Sequence, residues 1–404
     1  MSLPSLDQYA AAVQSPHHAF ADPELQTASI ALGSFGLPRV ISGNFGCVYQ
    51  LTARTQRAFA VKLFTRLAPD LARRYDAVAA QLHGAASDRF VGFEFQPGGI
   101  LVSGVRHPLL KMEWVQGTTL ARYVAANLRS DLLYPVAHDW IRLVEALGAA
   151  GIAHGDLQHG NIIVTGNGSL KLVDYDGMFV PALNGLRGVE IGHRNYQHPA
   201  RTGGDFHAEL DNFPAWLIDV SLLALAADPT LWRRHGGGEE KLLFSQDDLR
   251  APDRSALFRE LESSGRLHAV NGARLLRELL RRPPELAPRL TGDAATRYLH
   301  NSEPLPPAPP GWMRPLPASS ALANPQPLPG WLRDELHPPP RPPPQPPPRP
   351  PPPPPPPACA CGRPILPWRA NYGGAKCGMC HSRTARGKRC TQPVRTGRTY
   401  CGRH

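Results

Sequence analysis

The chain has 404 residues, of which 42% are hydrophobic and 19% are charged, so most of it can form a folded core. Its net charge of +11 is concentrated at one end, because residues 358–404 contain ten Lys or Arg and no Asp or Glu. The longest apolar stretch, near residues 213–227, contains Asp219 and is shorter than the roughly 20 residues that span a bilayer. These features exclude a membrane-spanning protein. Residues 1–4 do not begin a basic and then apolar signal segment, so we expect a cytoplasmic protein.

The first predicted elements are a short helix at residues 6–13, within an N-terminal segment 1–38, and two strands joined by a turn near residue 55. The first strand opens with I-S-G-N-F-G-C-V-Y, and the second contains A-V-K. Glycines in such a turn would let the backbone close over phosphate groups without side-chain clashes. The two runs resemble the glycine-rich loop and the lysine-bearing strand of a protein kinase, which implies that Gly43, Gly46, Val48, Ala60 and Lys62 bind the nucleotide.

A helix is predicted over residues 70–82, with apolar residues recurring along one face. The same resemblance to protein kinases implies that this helix supplies an acidic partner for Lys62. The predicted helix contains no glutamate, and Asp76 is the best candidate in it.

Three further strands are predicted at residues 90–95, 100–105 and 109–115. The last of them, followed by Q-G-T-T-L, resembles the hinge of a protein kinase, which implies that it binds an adenine base. Met112 would line the base, and backbone groups of Glu113 and Val115 would form hydrogen bonds with it. An ordinary core strand that ends in a turn is an equally consistent interpretation.

Predicted helices at 120–127 and 132–148 lead into the motif H-G-D-L-Q-H-G-N at residues 154–161. A predicted hairpin follows, and then D-Y-D-G at residues 174–177. Phosphoryl transfer needs a carboxylate to orient the acceptor hydroxyl, and an amide with a carboxylate to hold Mg²⁺ against the phosphates. Asp156, Asn161 and Asp174 supply these groups, and the hairpin would bring Asn161 and Asp174 together.

These motifs, in this order, resemble those of the eukaryotic-type (Hanks-like) serine/threonine protein kinases, and the wording H-G-D-L-Q-H-G-N with V-D-Y-D-G-M-F-V-P-A-L resembles a bacterial subfamily of them. The resemblance covers about residues 36–290. It implies an α+β, bilobal fold with an N-terminal lobe at 39–115 and a C-terminal lobe at 116–300.

The resemblance also implies roles for individual residues. Asp156 would be the catalytic base, Lys62 would bind the α- and β-phosphates, and Asn161 and Asp174 would bind Mg²⁺ or Mn²⁺. Asp211 would hold the catalytic-loop backbone. The expected activity is ATP-dependent phosphorylation of protein serines and threonines. Phosphatase and von Willebrand A-type partners are implied by the same subfamily.

Several residues depart from the kinase pattern. Gly155 replaces an arginine that would clamp a phosphorylated activation loop, and residues 174–199 contain no Ser or Thr, so we expect no switch by activation-loop phosphorylation. Gln158 replaces a lysine, which would slow transfer. Asp176 is either a further Mg²⁺ ligand or an acidic turn residue. Two alternatives therefore stay open: a small-molecule phosphotransferase of this fold, and a non-catalytic, nucleotide-binding pseudokinase scaffold.

The remainder of the chain divides into a linker and a small module. Residues 301–357 hold 27 of the 46 prolines, so they predict a disordered, Pro-rich spacer. Residues 358–404 are predicted to be a basic zinc-binding module, since thiolates and imidazoles at these spacings are zinc ligands. The candidate ligands are Cys359, Cys361, Cys377, Cys380, Cys390, Cys401 and His404. Its basic side chains suggest a nucleic acid or an acidic protein surface as partner, and a role in recruiting targets.

Overall fold

The computed structural model describes residues 3–307, except for residues 44, 85, 86 and 239. Most of the predicted linker and all the candidate zinc ligands lie outside these residues, so those expectations stay predictions. The fold is α+β: antiparallel sheets combine with helices, an architecture compatible with two lobes. Within residues 3–307, no helix of the described part is long and apolar enough to cross a membrane.

The first half of the fold is a six-stranded antiparallel sheet. Its strands lie in the order β1-β3-β4-β6-β5, and β2 also pairs with β3. The strands are β1 (Ser29–Ile30), β2 (Val40–Ser42), β3 (Gly46–Thr52), β4 (Ala58–Phe64), β5 (Phe93–Val102) and β6 (Val105–Glu113). The predicted turn between β3 and β4 is present, with Gln56 at a φ of 65°.

One face of this sheet is covered by the N-terminal segment. Three short helices, α1 (Leu6–Val13), α2 (Pro16–Ala19) and α3 (Pro23–Gln26), supply apolar side chains that pack against alternate residues of the strands. The Tyr9 hydroxyl also donates a hydrogen bond to the Phe64 carbonyl at 2.8 Å. Because side chains alternate across a strand, covering this face leaves the opposite face, which carries Lys62, for other contacts.

The strand boundaries after residue 90 differ from the prediction. Strands were expected at 90–95 and 100–105, but β5 runs unbroken past Pro97 and Gly98, with a register shift between Gln96 and Ile100. The chain instead turns at Ser103 and Gly104, whose φ angles are 49° and 82°. Two residues with positive φ form the tight turn that suits the twist of a hairpin, so the turn interrupts the predicted second strand.

The only long helix in the described part of this half is α4 (Leu71–Gly84), close to the predicted range. Tyr75, Val78 and Leu82 are buried along the face that was predicted to be apolar. Arg74, also buried, donates a hydrogen bond from Nη2 to the Arg187 carbonyl at 2.7 Å. The helix therefore contacts both the sheet core and the segment that follows residue 174.

The second half is mainly helical and also holds a small antiparallel sheet, β7 (Gly117–Thr119), β8 (Ile162–Thr165) and β9 (Leu170–Leu172). Helix α7 (Asn212–Ala227) is almost entirely buried in this half, which agrees with its nearly continuous apolar sequence. The helices are α5 (Leu120–Ala126), α6 (Ser130–Ala149), α7 (Asn212–Ala227), α8 (Thr230–Arg234), α9 (Gln246–Arg250), α10 (Ala256–Ser263), α11 (Leu267–Leu280) and α12 (Gly292–Ala295).

Candidate active site

The β8–β9 hairpin brings Asn161 and Asp174 to the same end of the small sheet. The two strands pair with Ile162 opposite Leu172, and the Val173 N–H donates to the Asn161 carbonyl at 3.0 Å. Asn161 and Asp174 are thirteen positions apart, and the sequence predicted that a hairpin would close this gap. The hairpin is present.

Asp156 is held by hydrogen bonds to both of its carboxylate oxygens. The His193 N–H donates to Oδ1 at 2.6 Å, and Asn161 Nδ2 donates to Oδ2 at 3.0 Å. Asn161 Nδ2 also donates to the Asp156 carbonyl at 3.0 Å. Because the amide nitrogen of Asn161 is turned toward Asp156, its oxygen is the atom that remains for a cation.

Asp211, which lies just before α7, accepts hydrogen bonds from the backbone of the loop that carries Asp156. One Asp211 carboxylate oxygen accepts from the Gly155 N–H at 3.0 Å, and the other accepts from the His154 N–H. Burial raises the pKa of Asp211, while His154 and these backbone N–H groups act in the opposite direction. This contact confirms the structural role that the sequence resemblance implied for Asp211.

Gly155 has a steric reason to be glycine. Its φ is +82°, and a β-carbon at this position would lie 2.2 Å from the Gly177 carbonyl oxygen. An arginine cannot occupy this position in this backbone. The cation beside the loop is Arg201, which is buried and donates from Nη1 to the Gly155 carbonyl at 2.8 Å and to the Gln197 side chain.

Lys62 forms ion pairs with both aspartates of the D-Y-D sequence. Its Nζ lies 2.5 Å from Asp174 Oδ1 and 2.5 Å from Asp176 Oδ2. The side chains of Lys62 and Asp176 are 8% and 6% exposed, whereas that of Asp174 is 45% exposed. Two carboxylates so close to one buried ammonium hold Lys62 in its charged form.

The pKa shifts of this triad follow from burial and charge. Burial lowers the pKa of Lys62, but Asp174 and Asp176 outweigh it and raise that pKa above its ordinary value. Burial acts to raise the pKa of Asp174, yet the Lys62 ammonium lowers it overall. The pKa of Asp176 is raised by burial and by Asp174, against the effect of Lys62. The two carboxylates thus occupy different electrostatic environments.

The partner expected for Lys62 on the helix was wrong. Asp76 is exposed on the outer side of α4, so it does not reach the buried lysine. The helix instead presents its neighbour Tyr75, which is 3% exposed and whose hydroxyl donates a hydrogen bond to Asp176 Oδ1. Adjacent residues of an α-helix point about 100° apart, which accounts for the different environments of Tyr75 and Asp76.

The candidate adenine-binding side chains share one face of the large sheet. Val48 lies opposite Lys62 in the β3–β4 register, and Ala60 lies opposite Met112 in the β4–β6 register. Because Ala60 and Lys62 are two positions apart on one strand, all four side chains point to the same side. Their placement agrees with a common surface that leads to Lys62.

Glu113 and Val115 lie at the end of β6 and just after it. The Glu113 N–H donates to the Gly92 carbonyl at 3.2 Å, and the exposed Glu113 carboxylate pairs with Arg57 at 3.1 Å. The backbone N–H of Glu113 is therefore engaged within the fold. Hydrogen bonding of an adenine base by the Glu113 carbonyl and by backbone groups of Val115 stays a prediction.

The glycine-rich segment forms the hairpin between β2 and β3. A β-carbon at Gly46 would lie 2.2 Å from the Leu63 carbonyl oxygen, so close strand packing requires this glycine. Gly43 is exposed, and its N–H donates to the Gly46 carbonyl at 2.8 Å. A β-carbon at Gly43 would meet only an ordinary contact, so phosphate binding by its backbone stays a prediction.

Glu190 is a site residue that sequence reasoning missed. A β-carbon at Gly177 would lie 2.6 Å from Glu190 Oε1, which places this carboxyl beside the D-Y-D-G turn. Burial and the charges of Asp156, Asp174 and Asp176 raise the pKa of Glu190 well above its ordinary value. Glu190 lies in an irregular segment without hydrophobic periodicity, so no sequence pattern pointed to it.

The predicted Mg²⁺ ligands in the described residues are Asn161, Asp174 and Asp176. In residues 3–307, as far as they are described, no group of three or more His, Cys, Asp or Glu side chains is arranged to hold a metal ion. Mg²⁺ commonly takes one or two carboxylates and completes its shell with water and phosphate oxygens, and Asn161 and Asp174 suit that mode. Both Asp176 oxygens are engaged by Lys62 and Tyr75, so Asp176 suits it less well.

No protein-family model matches this chain. A search of curated proteins likewise found no match.

Proposed function

We propose that this protein is a Mg·ATP-dependent kinase that phosphorylates serine or threonine hydroxyls of a protein substrate. The observation that supports it best is that hydrogen bonds and an ion pair connect Asp156, Asn161, Asp174 and Lys62 in one cluster. Asp156 bonds to Asn161, the Asn161 carbonyl bonds to the residue before Asp174, and Asp174 bonds to Lys62. These are the residue types that phosphoryl transfer requires, in one connected cluster.

The proposal includes the bilobal arrangement. Strands β2–β6 of the large sheet and α4, within residues 39–115, would form the N-terminal lobe, and residues 116–300 would form the C-terminal lobe. Nucleotide would bind between them, with its base near Val48, Ala60 and Met112. Segment 1–38 would be an addition to the first lobe, because its helices pack on the sheet face that does not carry Lys62.

In this reaction Lys62 binds the α- and β-phosphates as a buried cation. Asn161 Oδ1 and Asp174 would hold Mg²⁺, which would neutralise charge on the transferred phosphate. Asp156 orients the acceptor hydroxyl and accepts its proton as the oxygen attacks the γ-phosphorus. A new P–O bond forms to the acceptor, the bond between the γ-phosphorus and the bridging oxygen breaks, and ADP leaves with the electron pair.

The proposed kinase needs no phosphorylation of its activation segment. Unmodified side chains and backbone supply the contacts to the proposed catalytic loop: the His193 N–H donates to Asp156, and Arg201, just after the segment, donates to the Gly155 carbonyl. Residues 174–199 also contain no Ser or Thr. The proposal assigns target recruitment to the predicted zinc module at 358–404.

The test is transfer from γ-labelled ATP by the full chain, with Mg²⁺ or Mn²⁺, to three sets of acceptors: the chain itself, a generic protein, and a panel of small hydroxyl and amine metabolites. We expect label on Ser or Thr of protein. Label in the metabolites alone would overturn the protein substrate in favour of a small-molecule phosphotransferase. Nucleotide binding without transfer to any acceptor would overturn catalysis in favour of a scaffold.

A further inference from the structure

Helix α4 contributes no carboxylate to Lys62. Asp76 is the one acidic residue in the sequence of this helix, and it is exposed. Lys62 obtains both of its carboxylate contacts from the D-Y-D turn instead, at 2.5 Å each. The helix nevertheless reaches this cluster, through the Tyr75 hydroxyl.

The position of that hydroxyl is fixed by packing. The Tyr75 ring stacks on Phe95 with a centroid distance of 5.3 Å, and it meets Phe93 edge-on at 5.6 Å. The ring of Phe64, on the strand that carries Lys62, lies 6.0 Å away. A ring held on three sides has little freedom, so its hydroxyl stays at one point beside Asp176.

Asp176 contacts both helix α4 and Lys62. Its Oδ1 accepts from Tyr75, its Oδ2 binds Lys62, and its side chain is 6% exposed. Asp174 differs, because 45% of its side chain is exposed and only its Oδ1 contacts Lys62. Asp174 can therefore turn toward a bound cation while Asp176 keeps its contact with Lys62.

We propose that Asp176 is the permanent counter-ion of Lys62 and that Tyr75 is a positioning residue that fixes Asp176. Helix α4 then orients Lys62 indirectly: the Tyr75 hydroxyl fixes the Asp176 carboxylate, and Asp176 pairs with Lys62. No acidic residue of α4 takes part. This inference rests on the proposed function, since it concerns the orientation of Lys62 toward phosphates.

The test is a double-mutant cycle with Tyr75→Phe and Asp176→Asn, in which phenylalanine keeps the ring packing and asparagine keeps the side-chain volume. We expect each single variant to lower kcat/KM for ATP about 10-fold or more, because Lys62 loses its fixed orientation. In the Asp176→Asn background, Tyr75→Phe should have no further effect. Asp76→Asn and Tyr134→Phe, both at exposed positions, are matched controls and should leave kcat/KM unchanged.

The inference would be overturned if Tyr75→Phe lowered kcat/KM by the same factor in the wild type and in the Asp176→Asn variant. That result would show that the Tyr75 hydroxyl does not act through Asp176. Hydrogen exchange of residues 71–84 without nucleotide tests the same link independently of catalysis. Both single variants should increase exchange to the same extent, and the double variant should add nothing. An unchanged exchange rate in both singles would overturn the link.

These two readouts separate the inference from the function on which it rests. A wild-type protein that transfers no phosphate to any acceptor would contradict the proposed function. The exchange measurement would still decide whether Tyr75 and Asp176 act together. Transfer by the wild type without coupling in the cycle would contradict the inference alone.

Discussion

Arg89 and Asp139 form a buried, bidentate ion pair, with Nη1–Oδ2 and Nη2–Oδ1 distances of 2.6 and 2.8 Å. Asp139 Oδ2 also accepts from the Leu170 N–H at 2.9 Å. Asp139 therefore joins α6 to the segment before β5 and to β9, the second strand of the hairpin that ends at Asp174. Its burial acts to raise the pKa of Asp139, but Arg89 and the Leu170 N–H lower it below its ordinary value.

Replacing Asp139 should be strongly destabilising. Asp139→Ala leaves the Arg89 guanidinium buried and unpaired, and we expect a loss of about 3–5 kcal/mol in the free energy of unfolding. Urea unfolding of the full chain measures it. Asp131→Ala is the control, because its ion pair with Arg129 is exposed and should contribute less than about 1 kcal/mol. Equal losses in the two variants would contradict this assignment.

Asp219 should make stability depend on pH. It is fully buried in α7, neither carboxylate oxygen has a hydrogen-bond partner in the described part of the structure, and burial raises its pKa to about 8. Between pH 4 and 8 the folded state retains a proton that the unfolded state releases. Asp219 therefore contributes stability that is lost as pH rises through this range, by an amount on the order of 5 kcal/mol.

The measurement is urea unfolding of wild type and Asp219→Asn at intervals from pH 4.5 to 8.5. The asparagine does not titrate, so the variant should lose less stability than wild type as pH rises. The difference between the two curves isolates Asp219 from other titrating groups. Parallel curves would show that Asp219 does not hold a proton in the folded state.

The stability of the loop that carries Asp156 should respond in a graded way to changes at Asp211. Asp211→Ala leaves the buried N–H groups of His154 and Gly155 without acceptors, and we expect a loss of about 2–4 kcal/mol in stability. Asp211→Asn keeps one acceptor oxygen and should lose less. Thermal or urea unfolding compares the two. A larger loss in the asparagine variant would contradict the proposed anchoring.

The spacing of cysteines and histidines in residues 358–404 predicts that the purified chain contains zinc. Elemental analysis by mass spectrometry should find at least one zinc per chain, and a strong chelator should remove it. One grouping is Cys359, Cys361, Cys377 and Cys380, while Cys390, Cys401 and His404 would need His381 or another group. Cys377→Ser should lower the zinc content. Cys47→Ser is the control, since Cys47 is buried in the large sheet, and zinc should be unchanged in it.

Local patterns in the sequence were enough to predict much of the fold. Apolar periodicity located α1 and α4 to within about two residues, and a turn between two apolar runs located the hairpin that joins Asn161 to Asp174. The anchoring role of Asp211 followed from the motif resemblance. The strand ends near residue 100 did not follow, because Gly98 and Gly99 mark an irregularity inside β5 and not its end.

The cluster around Lys62 depends on information that local patterns do not carry. The predicted apolar face of α4 already included Tyr75, but a search for a carboxylate selects Asp76, which faces solvent. Glu190 reaches the site from an irregular segment, and its position depends on long-range packing. Such contacts become visible only when the phase of the helix and the path of the segment after residue 174 are known.

The cluster around Asp156 is proposed to transfer phosphate. The most direct test is the rate of γ-phosphate transfer by wild type, Asp156→Asn and the control Asp76→Asn, at saturating nucleotide. We predict that Asp156→Asn lowers kcat by about 10²–10⁴-fold with unchanged nucleotide affinity, and that Asp76→Asn transfers at the wild-type rate. Transfer by Asp156→Asn at the wild-type rate would contradict the claim.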